Sequence, residues 1–483
     1  MKKTTVISAL ALLLAACSTY VPINPPLTHP SDLKTGYRWA TTTIPSRKSN
    51  TLVILTFSGG GTRAAGLSYG VLKQLDATTM PDQRKLLDYV DVISSVSGGS
   101  FASMDYGMRG RQMLADFESK FLQVPVQKML VKAAFFNPKN VLKLLFDPNF
   151  HRIDVATQVY ADVLFGTATY DTLLAQQRAE DRPFIIANAT ELEIGSRFEW
   201  TQDQFDPICS DMSPIAVAHA VAASSDFPVA LPPVILKKYD ASTCKYQAPS
   251  WLPIARDSDA YNNPLRPRYA TELEAYLDPQ RTFLHTLDGG IADNIGLRGP
   301  LHALVSTDAF VQPQDQGRLT GMTFYPMINH APGIRAIDRV LVIVVNAGAS
   351  GAVKIDNTSR EPKLPVVLGS VIGTPMDNYS FDSMQLLIQT FVGRIGISDV
   401  RYYPVLVSFP MLRDKNLRDI VNNVGTSFDA LTNEQLSGLK QAADVLVHQD
   451  PCFQQFMRDV NAQPTTPDSP ICSSAPPLPP GAH

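Results

Sequence analysis

Charge is scarce in this chain. Of 483 residues, 18% are charged, and the formal net charge is −3. A nucleic-acid partner would demand a basic surface, so that class is excluded. Cysteine is scarce too, with five in all. No CxxC pair and no nearby histidine cluster accompanies them, so no metal is expected. No internal repeat is visible, which sets solenoids and propellers aside. The phosphate-loop form G-x-x-x-x-G-K-[S/T] is missing as well, and no cofactor is expected. A hydrophobic content of 45% leaves a globular chain long enough to bury a sizeable core.

The first seventeen residues, MKKTTVISALALLLAAC, carry two lysines and then an uncharged apolar run too short for a stable transmembrane span. That is the architecture of a secretory signal peptide. It ends on Leu14-Ala15-Ala16-Cys17, which resembles the bacterial lipoprotein box, whose cysteine is lipidated and becomes the new N-terminus. Ser18 follows in place of the aspartate that holds such proteins at the inner membrane. By this resemblance the protein is expected in the cell envelope, lipid-anchored through Cys17 to the outer membrane and facing the periplasm or the surface. Export leaves four further cysteines in an oxidising compartment. Of the three possible pairings, the local one is preferred: Cys209 with Cys244, and Cys452 with Cys472.

Residues 18–50 carry Pro22, Pro25, Pro26, Pro30 and Pro45 with little apolar periodicity and read as a tether. Residues 451–483 read as a proline-rich tail. Between them, apolar β-branched runs alternate with helix-like stretches. TLVILTF (51–57), YVDVISSV (89–96), FIIANA (184–189), LHTL (284–287), VLVIVV (340–345) and PVLVSF (404–409) are the candidate strands. Strand, helix and strand in succession predict an α/β domain over 51–450 with a mostly parallel sheet covered on both faces. Thr432-Asn433-Glu434-Gln435 has the form of a capping box opening a late helix.

In such a sheet, chemistry belongs at the carboxyl ends of strands. Ser95-Val96-Ser97-Gly98-Gly99 stands at one. A nucleophile elbow holds its central residue at φ > 0 and needs small neighbours two positions away. Ser97 alone is flanked correctly, by Gly99 and Ser95, although Ser95 replaces the usual glycine. Alone, the stretch reads more readily as a glycine-rich turn with a solvated serine.

Directly after the first strand comes Ser58-Gly59-Gly60-Gly61-Thr62-Arg63. Consecutive glycines at a helix N-terminus let backbone N–H groups converge where a tetrahedral oxyanion needs them. A dinucleotide fingerprint would want glycine where Ala64 stands. The spacing from Gly61 to Ser97 fits one βαβ unit, which sets the two loops side by side.

A triad would supply an acid and then a histidine downstream. His302 and His448 lie in helix-like stretches and His330 in an apparent loop, and each reads as structural or solvated. The better partner is Asp288, in HTLDGGIADNIGL (285–297), directly after an apolar strand and before paired glycines, although LDGG by itself reads first as a plain turn with an N-capping aspartate. At an ordinary pKa of about 3.9 a carboxylate is a feeble base, and burial would strengthen it. Asp293 is the other acid nearby and reads as a helix-start residue.

Three loops in this order, GGGTR, SVSGG and DGG, resemble the patatin-like phospholipase family, whose pattern is a glycine-rich loop with arginine, a G-x-S-x-G elbow and a D-G-G/A motif. The resemblance runs from about residue 51 to at least residue 346. AVAASSDFPVALPPV (220–234) is similar to the family's small-residue helix leading into a substrate wall. It implies a three-layer α/β/α sandwich and a carboxylic ester hydrolase working through a Ser–Asp dyad without histidine. Ser97 is then the nucleophile and Asp288 the general base. Gly60 and Gly61, helped by Gly59, form the oxyanion hole, Arg63 anchors the loop, and Ser95, Gly98 and Gly99 shape the elbow. Ser58, Ala64 and Ser95 depart from the pattern and leave the dyad intact. The implied substrates are fatty acyl esters of membrane lipids. The alternatives are an esterase on soluble or non-phospholipid esters, and a non-catalytic envelope lipoprotein that kept the fold.

Residues 120–146 hold five lysines (Lys120, Lys128, Lys132, Lys139, Lys143) and no acid, interleaved with apolar residues. Two readings stand. The stretch lies on an anionic lipid surface or forms a lid over an acyl pocket, or it is a pair of core-packing helices with a solvated lysine face, broken at Pro125 and Pro138.

Overall fold

The continuous apolar runs form the middle of one sheet because side chains on both faces of each strand find cover. In the computed structural model, β1 (Thr51–Phe57), β2 (Val90–Val96) and β3 (Phe184–Glu191) are buried at every position. β4 (Ser196–Glu199), β5 (Val234–Lys237), β6 (Phe283–Asp288), β7 (Arg339–Asn346) and β8 (Arg401–Ser408) complete it. The structure describes residues 22–42, 49–147, 149–227, 231–257, 265–305, 322–349, 359, 361–392, 399–461 and 472. The order across the sheet is β5-β6-β3-β2-β1-β7-β8, with β4 pairing β3 beside this path. β3, β2, β1, β7 and β8 run parallel. Pro404 falls on β8, an edge strand, where a missing N–H is tolerated.

The helices used below are α1 (Gly61–Ala77), α2 (Gly98–Arg109), α3 (Val126–Phe135), α4 (Pro138–Phe146), α5 (Arg152–Tyr160), α6 (Val217–Ser224), α7 (Leu364–Val392), α8 (Asn433–His448) and α9 (Pro451–Asn461). α1 and α2 are the crossovers after β1 and β2, as a parallel sheet requires. With helices covering the sheet, the molecule is an α/β/α sandwich with a mostly parallel centre. α8 opens on the expected capping box: the Thr432 hydroxyl accepts from the Gln435 N–H at 3.2 Å, and the Gln435 side chain accepts from the Thr432 N–H at 3.0 Å. No helix among the described residues is long and apolar enough to cross a membrane.

Three expectations need correction. First, LHTL lies in β6, which runs antiparallel to β3; β4 (SRFE) is largely polar, and β5 (VILK) is four residues long directly after Pro232-Pro233, so neither announces itself. Second, residues 22–42 are a strap on the domain and no loose tether. The Leu27 N–H donates to the Cys209 carbonyl at 2.8 Å, and the Tyr37 hydroxyl reaches the Ile185 carbonyl at 2.8 Å. Arg38 is buried between Asp203 and Asp206. A buried guanidinium with two carboxylates fixes a segment that prolines alone would leave extended. Third, the domain does not stop at 450. Phe453 and Phe456 of α9 are buried, and the Tyr403 hydroxyl of β8 donates to Asp459 at 2.6 Å. The disulfides are Cys209–Cys244 and Cys452–Cys472, the local pairing. The leader and Cys17 lie outside the described residues.

Candidate active site

Register explains why two distant loops meet. Val96, the last residue of β2, pairs with Asn188 of β3, and the next residue of β3, Ala189, pairs with Asp288 at the end of β6. β6 therefore delivers Asp288 to the level at which β2 ends, although it runs the opposite way. Ser97 follows Val96 at once.

Ser97 sits at the N-cap of α2 with φ 48° and ψ −119°. A serine in this region is strained by about 1–3 kcal/mol, which surrounding contacts must offset. Its N–H donates to the Ser224 hydroxyl at 2.9 Å. Donor accounting then sets one direction through the buried hydroxyls. Ser224 passes its hydrogen to Ser100 (2.9 Å), Ser100 donates to Ser95 (3.2 Å), and Ser95 donates to the Ile186 carbonyl (3.0 Å). Ser95, which replaces the usual glycine, is fully buried and satisfied within this chain of bonds.

Asp288 is buried, accepts from the Gly290 N–H at 2.8 Å and lines the same cavity as Ser97, whose side chain is close enough to act on its carboxyl. Burial raises its carboxyl from the ordinary value to about 6, and the Gly290 N–H and the Ser97 side chain pull it partly back. The result is a carboxylate that is ionised at neutral pH yet more basic than a solvated one.

The glycine loop closes over this pair. A Cβ on Gly59 would lie 3.4 Å from Ser97 Cβ, and one on Gly98 would lie 2.0 Å from the Gly61 carbonyl oxygen. Elbow and loop are in backbone contact that no side chain permits. Gly60 has φ +130°, open only to glycine without strain. Among the described residues, the N–H groups of Gly60 and Gly61 have no acceptor and lie at the start of α1. Gly59 differs from the expectation: its N–H is already donated to the Asn294 carbonyl at 2.9 Å, so it shapes the loop and offers no free hydrogen. Arg63 donates to the Val424 carbonyl at 3.0 Å and faces Asp377 of α7; burial lowers its guanidinium to about 10. Gly99 packs under the loop, where a Cβ would come within 2.8 Å of the Ser58 carbonyl oxygen.

Ser97, Asp288 and the loop form the floor of a cavity of about 650 Å³. Its walls are mainly apolar, from Leu130, Val131, Phe135, Leu231, Met376 and Phe428. No histidine lines it among the described residues. His302 lies in a separate cavity against Tyr269, His330 beside Asp338, and His448 on Asp444. Asp293 accepts from the Arg298 N–H at 2.7 Å, where the next helix begins. Among the described residues there is no cluster of metal-binding side chains.

Sequence reasoning missed several neighbours. Asn294 holds Gly59 and lines the cavity. α7 supplies a wall through Gly369, Gly373, Met376 and Asp377, with no motif to announce it. Asp226 is fully buried beside Asp288; burial first, and the Asp288 charge second, raise its carboxyl to about 8. Its only sequence signal was an acid inside the apolar stretch AVAASSDFPV.

No curated protein matches the chain. Among solved structures, human GIVD cytosolic phospholipase A2 in complex with a fluorophosphonate inhibitor is 13% identical, with 85% of this chain and 59% of that chain covered and a TM-score of 0.39. This chain thus spans about three fifths of the human chain. VipD from Legionella pneumophila is 13% identical, with 93% of this chain and 72% of that chain covered at a TM-score of 0.31. Both likenesses are too distant to carry an assignment. The model of the patatin-like phospholipase family, however, matches residues 55–301. That is more than half of the chain and takes in the glycine loop, the elbow and the Asp288 turn. The chain belongs to the patatin-like phospholipase family.

Proposed function

We propose that this protein is a serine acyl hydrolase of the phospholipase A or lysophospholipase type, cleaving fatty acyl esters of membrane lipids. The observation that carries this is the placing of Ser97 and Asp288 together in the lining of one apolar cavity, beside the N–H groups of Gly60 and Gly61, which have no acceptor among the described residues. Asp288 takes the proton as the Ser97 oxygen attacks the ester carbonyl, and the two amides stabilise the oxyanion. Collapse expels the alcohol or lysolipid, which leaves with the proton from Asp288. Water activated by Asp288 then attacks the acyl-enzyme and releases the fatty acid. A cavity of about 650 Å³ with apolar walls suits an acyl chain better than a polar ester.

The test is fluorophosphonate labelling of the purified protein, with the modified peptide mapped by mass spectrometry. An adduct on Ser97, lost in Asp288→Asn, is the expected result. A folded protein that takes no adduct, with detergent micelles present, would favour the non-catalytic reading. The anchor at Cys17 is proposed separately; incorporation of labelled palmitate that survives Cys17→Ser would refute it.

A further inference from the structure

The cavity does not end inside the molecule. Val131 and Phe135 of α3 line it and are at the same time 44% and 63% exposed, so α3 is where cavity wall becomes surface. α4 continues that surface. Its Asn140 and Leu144 face inward, the latter packing on the small core of Ala134, Phe150 and Val155. Leu142, Leu145 and Phe146, at i, i+3 and i+4, point the other way and are 57%, 68% and 69% exposed. Phe136, between the helices, is 74% exposed.

A chain does not leave phenylalanine and leucine in water at this density without a partner. Charge says which partner. Lys128 and Lys132 lie one turn apart on α3 and Lys139 and Lys143 one turn apart on α4, flanking the outward apolar side chains. All four are exposed, and among the described residues none is in an ion pair. No acid occurs from Lys120 to Phe146. A second copy docking through this face about a twofold axis would set lysines against lysines. A lid closing over the cavity would use the inner faces, which are already packed, and would still leave the outer ones wet.

We propose that the outward face of α3 and α4 docks on an anionic phospholipid surface, with Phe136, Leu145 and Phe146 entering the acyl region and the four lysines meeting the head groups. An amphipathic helix with lysines at its margins lies in the interface in this way. The proposal deepens the hydrolase reading, on which it rests for what enters the cavity. It implies that substrate comes sideways from a bilayer and not from solution.

The test uses the whole chain carrying Cys17→Ser, so that no acyl anchor contributes, and flotation with vesicles of phosphatidylcholine alone or mixed with phosphatidylglycerol. Flotation is expected with the mixed vesicles and is weak with the neutral ones. Lys139→Gln with Lys143→Gln should weaken binding about fivefold per lysine. Phe136→Ser, Leu145→Ser and Phe146→Ser together should reduce it more than tenfold, and none of these residues lines the cavity. Both variants should keep the parent rate on a soluble short-chain ester. A chain carrying Phe136→Trp, which removes no apolar contact, should be quenched by brominated lipid.

Variants that float like the parent, equal binding to both vesicle types, or an unquenched indole in a floating Phe136→Trp chain would each overturn the proposal. So would dimerisation through this face without flotation. A protein that hydrolyses the soluble ester but does not float refutes the docking face and leaves the hydrolase standing. One that floats and hydrolyses nothing does the reverse.

Discussion

Beneath the cavity, a methyl group on Gly98 would meet backbone at 2.0 Å, Ser97 is held at φ 48°, and a line of buried hydroxyls is satisfied down to Ile186. Along α4, by contrast, three large apolar side chains stand more than half exposed, and nothing in the fold fixes what covers them. The floor is over-determined by its own chain, whereas the rim is completed only from outside. Strain and pre-organisation belong to the first, because the proposed oxyanion donors and base would lose their effect if they could relax. Surface in search of a partner belongs to the second. The two regions should therefore respond to substitution in opposite ways: the floor in turnover on any ester, the rim only on bilayers.

The largest effects lie on the floor. Ser97→Ala should lower turnover by about 10⁴-fold or more, and Asp288→Asn by about 10³–10⁴, with KM little changed on a soluble ester. Gly60→Ala should cost about 10²–10³-fold, the loss expected when an oxyanion donor is displaced, because alanine is strained at φ +130°. Gly98→Ala should show in stability as well, lowering it by about 3 kcal/mol in denaturant unfolding, since the contact it makes is with backbone. At the rim, the Phe136, Leu145 and Phe146 serine triple should lower vesicle hydrolysis about tenfold and leave soluble-ester turnover within about twofold. A loss of soluble-ester turnover in that triple would erase the distinction between the regions.

The same contrast decides what the sequence could show. Where backbone meets backbone, the residue type is dictated, and so the glycine loop, the Ser97 elbow and the Asp288 turn kept a pattern that could be matched, in order, to that of a family, although none of the three was decisive by itself. The strands β1, buried throughout, and β7, buried after its first residue, were legible because continuous β-branched runs have few other uses. Hydrogen bonds that run between backbone groups leave no such mark. Nothing in the sequence could say that the Gly59 N–H is taken by the Asn294 carbonyl, or that β6 runs antiparallel. The strap was misread for a related reason: five prolines hid Tyr37 and Arg38, whose partners in β3 and near Asp203 are more than a hundred residues away. α7 stayed invisible because it lines the cavity partly with glycines.

The smallest predicted effect in turnover at neutral pH concerns the second buried carboxyl. Asp288 is raised to about 6 and Asp226 to about 8, each chiefly by burial, and Asp226 also by the charge of Asp288, with Arg152 opposing. Between those values Asp288 is ionised and able to accept a proton while Asp226 holds one and adds no charge. Below this window Asp288, the proposed base, is protonated. Above it, a second negative charge stands beside Asp288 and works against the oxyanion. The pH profile of kcat/KM should therefore be a bell with limbs near 6 and 8. Asp226→Asn, which copies the neutral form, should keep neutral-pH turnover within about twofold and erase the alkaline limb. It should also act on stability. The native state retains a proton that the unfolded chain releases near pH 4, so the contribution of Asp226 is full below that value and is lost as pH rises toward 8. Asparagine undergoes no such loss, and the variant's melting temperature should exceed the parent's by a margin that widens across this interval. If Asp226→Asn instead lost turnover as severely as Asp288→Asn, Asp226 would have to be an ionised member of the proton path, and the floor would contain two working carboxylates where the proposed mechanism uses one.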